Sequence, residues 1–241
     1  MNMSPLLRKM FAEFLGVAFF LTAILGAVSS GSSFAALALS TVLGLAILVT
    51  ASISGGHLNP AVSLYFYSRQ QMSLSELLGY IAAQLLGAVF GTWVGLTMWQ
   101  KSLDVAGGHN ATAPAFLIGE LVATGGLVWL VGRLASTGRG NIIPVAVGLW
   151  VFAAATFTPT GAEANPAVAF GLLFAGHSVN ETALYILMQL LGMLIASIFV
   201  MIFAEKAAPK AVAAEAKPAA VKKPAAKKSA AKKPAAKKAT K

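Results

Sequence analysis

The sequence predicts an all-α membrane protein: six spanning helices and two shorter helices that enter the bilayer and turn back, arranged as an inverted repeat. Three observations carry this. Of 241 residues, 57% are hydrophobic and only 11% charged, the proportions of a chain solvated largely by lipid. The stretch Ser54-Gly55-Gly56-His57-Leu58-Asn59-Pro60-Ala61-Val62 has its core repeated as Gly161-Ala162-Glu163-Ala164-Asn165-Pro166-Ala167-Val168. Tyr80-Ile81-Ala82-Ala83-Gln84-Leu85-Leu86-Gly87 returns as Tyr185-Ile186-Leu187-Met188-Gln189-Leu190-Leu191-Gly192, identical at six of eight positions at an offset of 105, while Glu13 matches Glu120 at 107 and Asn59 matches Asn165 at 106. A near-constant offset makes the halves copies. Each half carries an odd number of full spans, so the two enter the membrane from opposite sides.

In chain order, Met10 to Val28 is an apolar run behind Arg8 and Lys9. It has the outline of a secretory leader, but Glu13 interrupts it and its counterpart lies in the second half, so it reads as a retained helix. Phe34 to Ile53 is long enough for a span, about 20 residues at about 1.5 Å each. Asn59 to Tyr67 is too short to cross and must return, with Arg69 at its exit. Leu74 to Trp99 is the third span, with Gly87, Gly91 and Gly95 on one face as a close-packing surface. Lys101 to Ala113 reads as a polar turn region. Pro114 to Leu134, Ile142 to Thr158 and Ala183 to Ala204 are the remaining spans, and Asn165 to Phe174 is the second short insertion.

Each short insertion should begin a helix at Asn-Pro, since asparagine caps helix starts and proline suits the first helical position. A helix start carries roughly half a positive charge and unpaired N–H groups. With the two insertions entering from opposite faces, Asn59 and Asn165 meet near the midplane, each offering amide N–H donors in an otherwise apolar wall. Such a place holds a neutral oxygen-bearing solute and repels a bare cation.

Net charge is +10, but through Ala204 six basic residues balance six acidic ones, and the excess belongs to twelve lysines after Glu205. Two regions follow, a channel domain over 1–204 and a disordered Lys/Ala/Pro-rich tail over 205–241. With the N-terminus cytoplasmic, Arg8, Lys9, Arg69, Arg133, Arg139 and the tail lysines lie inside and only Lys101 outside, as the positive-inside rule requires. The expected location is the cell's inner (plasma) membrane with both termini cytoplasmic. The tail suits anionic lipid, and less readily nucleic acid.

Over roughly Leu7 to Phe203 the chain resembles the aquaporin and glycerol-facilitator family, the major intrinsic proteins, on the first signature above, the spacing of the second, and Glu13, Gln84, Glu120 and Gln189. The resemblance implies an aquaporin-like fold and a passive channel in each protomer of a homotetramer. It makes Asn59, Pro60, Ala61, Asn165, Pro166 and Ala167 the pore motifs, and gives Glu13 and Glu120 the task of bracing the re-entrant loops. It also marks a departure. The family's usual filter arginine, immediately after the second Asn-Pro-Ala, is Val168 here; the other filter positions fall at Leu39, Ala153 and Ala162, so the filter is wide and apolar.

No cysteine is present, which excludes disulfides and thiolate metal sites. His57 reads as a loop histidine hydrogen-bonded near its own turn, His109 and His177 as polar loop residues without a partner at metal-ligand spacing, and no serine, histidine and carboxylate set suggests an enzyme. The expectation is no metal, no cofactor and no catalysis. A second reading from the same residues is an ion- or proton-coupled transporter in which Glu13, Glu120 or Glu163 titrates.

Overall fold

The computed structural model describes residues 3–204. Two half-molecules of one design follow each other. The first holds α1 (Pro5–Ser29), α2 (Ala35–Ser54), α3 (Pro60–Ser68) and α4 (Leu74–Met98); the second holds α5 (Pro114–Ser136), α6 (Ile143–Phe157, preceded by a 3-10 turn, Gly140–Ile142), α7 (Pro166–Leu172) and α8 (Val179–Ile202). Among the described residues, six helices are long and apolar enough to cross a membrane, the fifth of them counted from Gly140. Six crossings return the chain to the face on which it began, called here the terminal face. α3 and α7, with 9 and 7 residues, reach only about half-way at about 1.5 Å per residue.

The helix starts are written in the sequence. Proline stands in the first turn of α1, α3, α5, α6 and α7, where no N–H is required. α4 begins with a reciprocal cap: Glu76 N donates to Ser73 Oγ at 3.2 Å and Ser73 N donates to Glu76 Oε2 at 3.0 Å. Its repeat mate α8 keeps one half of this cap, with Glu181 N donating to Ser178 Oγ at 3.1 Å, while Ser178 N donates to His109 O at 2.9 Å. At the terminal face Glu76 is neutralised by Lys9, 2.7 Å away. At the opposite face, among the described residues, no lysine pairs with Glu181.

α1 packs on α4 and α5 on α8 through glycines. A Cβ added at Gly87 or Gly91 would overlap the carbonyl oxygens of Phe14 and Ala18, and one at Gly192 would overlap that of Leu121. With lipid on the outside, such close backbone contact holds helices together by dispersion rather than by exclusion of water. We expect Gly91→Val to force α1 from α4, costing about 1–3 kcal/mol and sharply reducing the monodisperse fraction in size-exclusion chromatography. Gly108→Ala, where nothing lies within 4 Å, should leave the elution profile unchanged. The outward faces carry exposed Phe19, Leu48, Leu86, Trp93, Leu149 and Leu187, a surface suited to hydrocarbon.

One segment differs from its expected form. The region read as a polar turn contains a strand, β1 (Asp104–His109), paired in parallel with β2 (Ala175–His177). Asp104 N donates to Phe174 O at 3.1 Å and Ala106 N to Leu173 O at 2.8 Å. The partner backbone lies some seventy positions away, at the exit of α7, and local composition carries no trace of it. The tail expected over 205–241 lies outside the described residues.

Candidate functional site

The loops before α3 and α7 have the same backbone. Gly55, Gly56 and Leu58 take φ of 92°, 63° and 48°, and their counterparts Gly161, Ala162 and Ala164 take 71°, 55° and 48°. For the non-glycine residues the left-handed region costs about 1 kcal/mol or more each. That conformation is held by carboxylates beneath the loops. Glu13, fully buried, accepts from Ser54 Oγ (2.5 Å), His57 N (3.0 Å), Leu58 N (2.6 Å) and Gln84 Nε2 (2.8 Å). Glu120, also fully buried, accepts from Glu163 N (3.1 Å), Ala164 N (2.9 Å) and Gln189 Nε2 (2.7 Å). Each carboxylate thus takes two successive loop N–H groups and one glutamine amide, which compensates its burial.

With the loops fixed, the asparagines follow. Asn59 Oδ1 accepts Ala61 N at 2.8 Å and Asn165 Oδ1 accepts Ala167 N at 2.9 Å, each capping its own short helix. Pro60 and Pro166 open those helices, and both prolines, Ala61 and Ala167 are buried. Asn59 Nδ2 donates to Ala164 O at 2.8 Å and Asn165 Nδ2 to Leu58 O at 2.9 Å, so each cap is tied across to the loop of the other half. Each amide spends one N–H this way and keeps a second. Both asparagines border a cavity of about 50 Å³ on the terminal side, otherwise walled by groups such as Leu43, Ile47, Leu127, Val147 and Phe66. His57 also lines it, with Nδ1 3.1 Å from Ser63 Oγ and its ring stacked on Phe66 at 4.7 Å.

On the opposite side opens a larger cavity of about 450 Å³, which Leu39, Ala162 and Val168 help to line. Ala153 does not. It is exposed on α6, and Ala155 stands on the cavity wall. Val147, Val151 and Ala154 of α6 are buried in the core and Ala155 is half-buried on the cavity wall, whereas Ala153, like Phe152, is exposed. The family resemblance aligns Ala153 through the irregular loop between α6 and α7, across which helical phase is not carried. Around Leu39, Ala162 and Val168 the wall is apolar. Thr160, Glu163 and His177 add polar groups.

At the same mouth the structure unites residues that look isolated in sequence. His109 Nδ1 lies 2.9 Å from the Glu181 carboxylate. The rings of His109 and His177 stack with centroids 5.1 Å apart, and His177 Nδ1 lies 3.5 Å from Glu163 Oε1. The expectation that His109 and His177 lack partners at ligand spacing therefore fails: the β1–β2 pairing and the start of α8 bring them to a carboxylate. One sequence signal existed. Ser178 and Glu181 repeat Ser73 and Glu76, and the loops holding both histidines belong on one side of the membrane.

A family model described as "Major intrinsic protein" matches residues 1–171. The chain is 33% identical over 202 residues to aquaglyceroporin AqpS of Rhizobium meliloti (strain 1021), covering 78% of this chain and 86% of that protein. It is 32% identical over 184 residues to an aquaglyceroporin of Toxoplasma gondii, covering 73% and 68%, and 32% identical over 229 residues to probable aquaporin TIP3-2 of Oryza sativa subsp. japonica, covering 86% and 85%. The fold is similar to that of the X-ray structure of the aquaglyceroporin from Plasmodium falciparum, with a TM-score of 0.62 at 22% identity, covering 83% and 96% of the two chains.

Proposed function

Because the chain belongs to the major intrinsic protein family, we propose that it is a passive transmembrane channel for small neutral solutes, water or glycerol in class, with an outer constriction that favours the bulkier or less polar of them. The observation that carries the reading is the pair Asn59 and Asn165, each with an N–H left over beside an apolar cavity at the meeting point of two helix starts. A hydroxyl oxygen is held there as it sheds water, while the two dipoles disfavour a cation. Val168, Leu39 and Ala162, with Ala155 in place of Ala153, give the outer passage its selectivity by offering width and no side-chain donors. Relatives named aquaglyceroporin support this choice.

The coupled-transporter reading is less favoured. Glu13 and Glu120 are fully buried and take up to four donated hydrogen bonds, an arrangement suited to a fixed brace rather than to a group that exchanges protons with a passing solute. The same proposal places the protein in the plasma membrane with both termini cytoplasmic, on the basic-residue asymmetry, as a homotetramer whose tail meets anionic lipid.

The test is flux into proteoliposomes, followed by light scattering, with water, glycerol and longer polyols, with and without a pH gradient. Glycerol should enter well above the rate of empty vesicles, and the gradient should change nothing. Solute accumulation driven by the gradient would overturn the channel reading.

A further inference from the structure

The mouth opposite the terminal face holds two buried carboxylates and two imidazoles that pore function does not use. Glu181 and Glu163 have side chains 0% and 7% exposed, and Glu181 Oε1, Glu163 Oε2 and His177 Nδ1 are buried without a hydrogen-bond partner. At 3.5 Å the His177–Glu163 contact is too long to satisfy either group. In the other half the matching Glu76 is capped and paired with Lys9, so the repeat shows what a satisfied version looks like. Among the described residues, no lysine or arginine does this for Glu181 or Glu163, which face only the imidazoles of His109 and His177. Burial, which disfavours the charged form, holds the His177 ring below the ordinary histidine pKa.

We propose that His109, His177 and Glu181 bind one divalent transition-metal ion of the zinc class, with Glu163 completing or orienting the set behind His177, and that the bound ion restricts flux through the outer cavity. Two imidazole nitrogens and a carboxylate oxygen form a borderline N/O donor set, which suits zinc, nickel or cobalt and not calcium or magnesium. The candidate donor atoms of His109, His177 and Glu181 lie within 4.8 Å of one another. Tetrahedral zinc with bonds of about 2.0 Å needs donors about 3.3 Å apart, so the site must contract. His109, with its side chain 60% exposed, has open space on one side and is the member that would shift to do so. His177 and Glu163 both line the outer cavity; an ion held there adds positive charge and draws these side chains across the entrance.

The site goes beyond the proposed channel function, and only its effect on flux rests on that function, so binding and flux are measured separately. Purified full-length protein is titrated with Co²⁺, whose visible absorption reports tetrahedral coordination, and then with Zn²⁺ in competition. One saturable ion per protomer is expected, displaced by zinc, with affinity at least tenfold weaker in His109→Ala and in His177→Ala. His109→Ala removes an exposed side chain and keeps the test valid if His177→Ala fails to fold. Absence of saturable binding, or unchanged affinity in His109→Ala, overturns the site. In proteoliposomes, Zn²⁺ should lower glycerol flux of the wild type severalfold and leave His109→Ala at its zinc-free rate. Binding without any change in flux would overturn the regulatory role while leaving the site in place.

Discussion

Glu13→Ala is expected to yield little or no assembled channel. The substitution removes one acceptor and strands four donors: the hydroxyl of Ser54, the backbone N–H groups of His57 and Leu58, and the amide of Gln84. Each buried donor left unpaired costs about 1–3 kcal/mol, so even with partial relaxation the loss is roughly 4 kcal/mol or more. It falls on a loop that already holds Leu58 in the left-handed region. Once that loop relaxes, the Leu58 carbonyl no longer receives Asn165 Nδ2, and the damage crosses to the second half. Thermal melting of detergent-purified protein, read by size exclusion after heating, should show a large fall in midpoint or no folded peak. Glu13→Gln keeps one acceptor and the side-chain volume and should fall between the two. A Glu13→Ala protein with wild-type melting and wild-type flux would remove the bracing role.

Val168→Arg should change what passes rather than whether the protein folds. Val168 is 1% exposed and borders the outer cavity of about 450 Å³, so a longer side chain has space to extend into the passage. There the guanidinium would meet Glu163, whose Oε2 has no hydrogen-bond partner, and be held across the opening as a bidentate donor. It narrows the passage, supplies hydrogen bonds to a permeant oxygen and adds a full positive charge against cations. Glycerol and larger polyols should slow by about tenfold or more, equivalent to about 1.4 kcal/mol of added barrier. Any proton leak should fall, and water should be retained or reduced less. Equal rates for all three in folded, membrane-inserted protein would mean that Val168 does not stand at the constriction.

Periodicity and repetition made most of the fold legible. Hydrophobic runs long enough to cross, two that are too short, and a near-constant offset of 105 to 107 joining Glu13 to Glu120, Asn59 to Asn165 and Gln84 to Gln189 were enough to order the helices and pair the halves. Gly87 and Gly91 were legible as packing positions because small residues at a spacing of four have that use in lipid. Ala153 was misplaced because helical phase is lost through the loop between α6 and Asn165. β1 went unseen because a strand with Gly107 and Gly108 has no pattern of its own and exists through the backbone of β2.

The sequence alone determined the six spans, the two half-helices begun by Asn-Pro, and the inverted pairing of the halves, since these depend on local composition, cap chemistry and self-similarity, which are written along the chain. Only the tertiary structure decided which α6 residue borders the outer cavity, how each asparagine is shared between its own helix and the opposite loop, and that His109, His177 and Glu181 stand together. Those facts depend on distances between residues 68 and 105 positions apart in the sequence, and a one-dimensional pattern carries no distance of that kind.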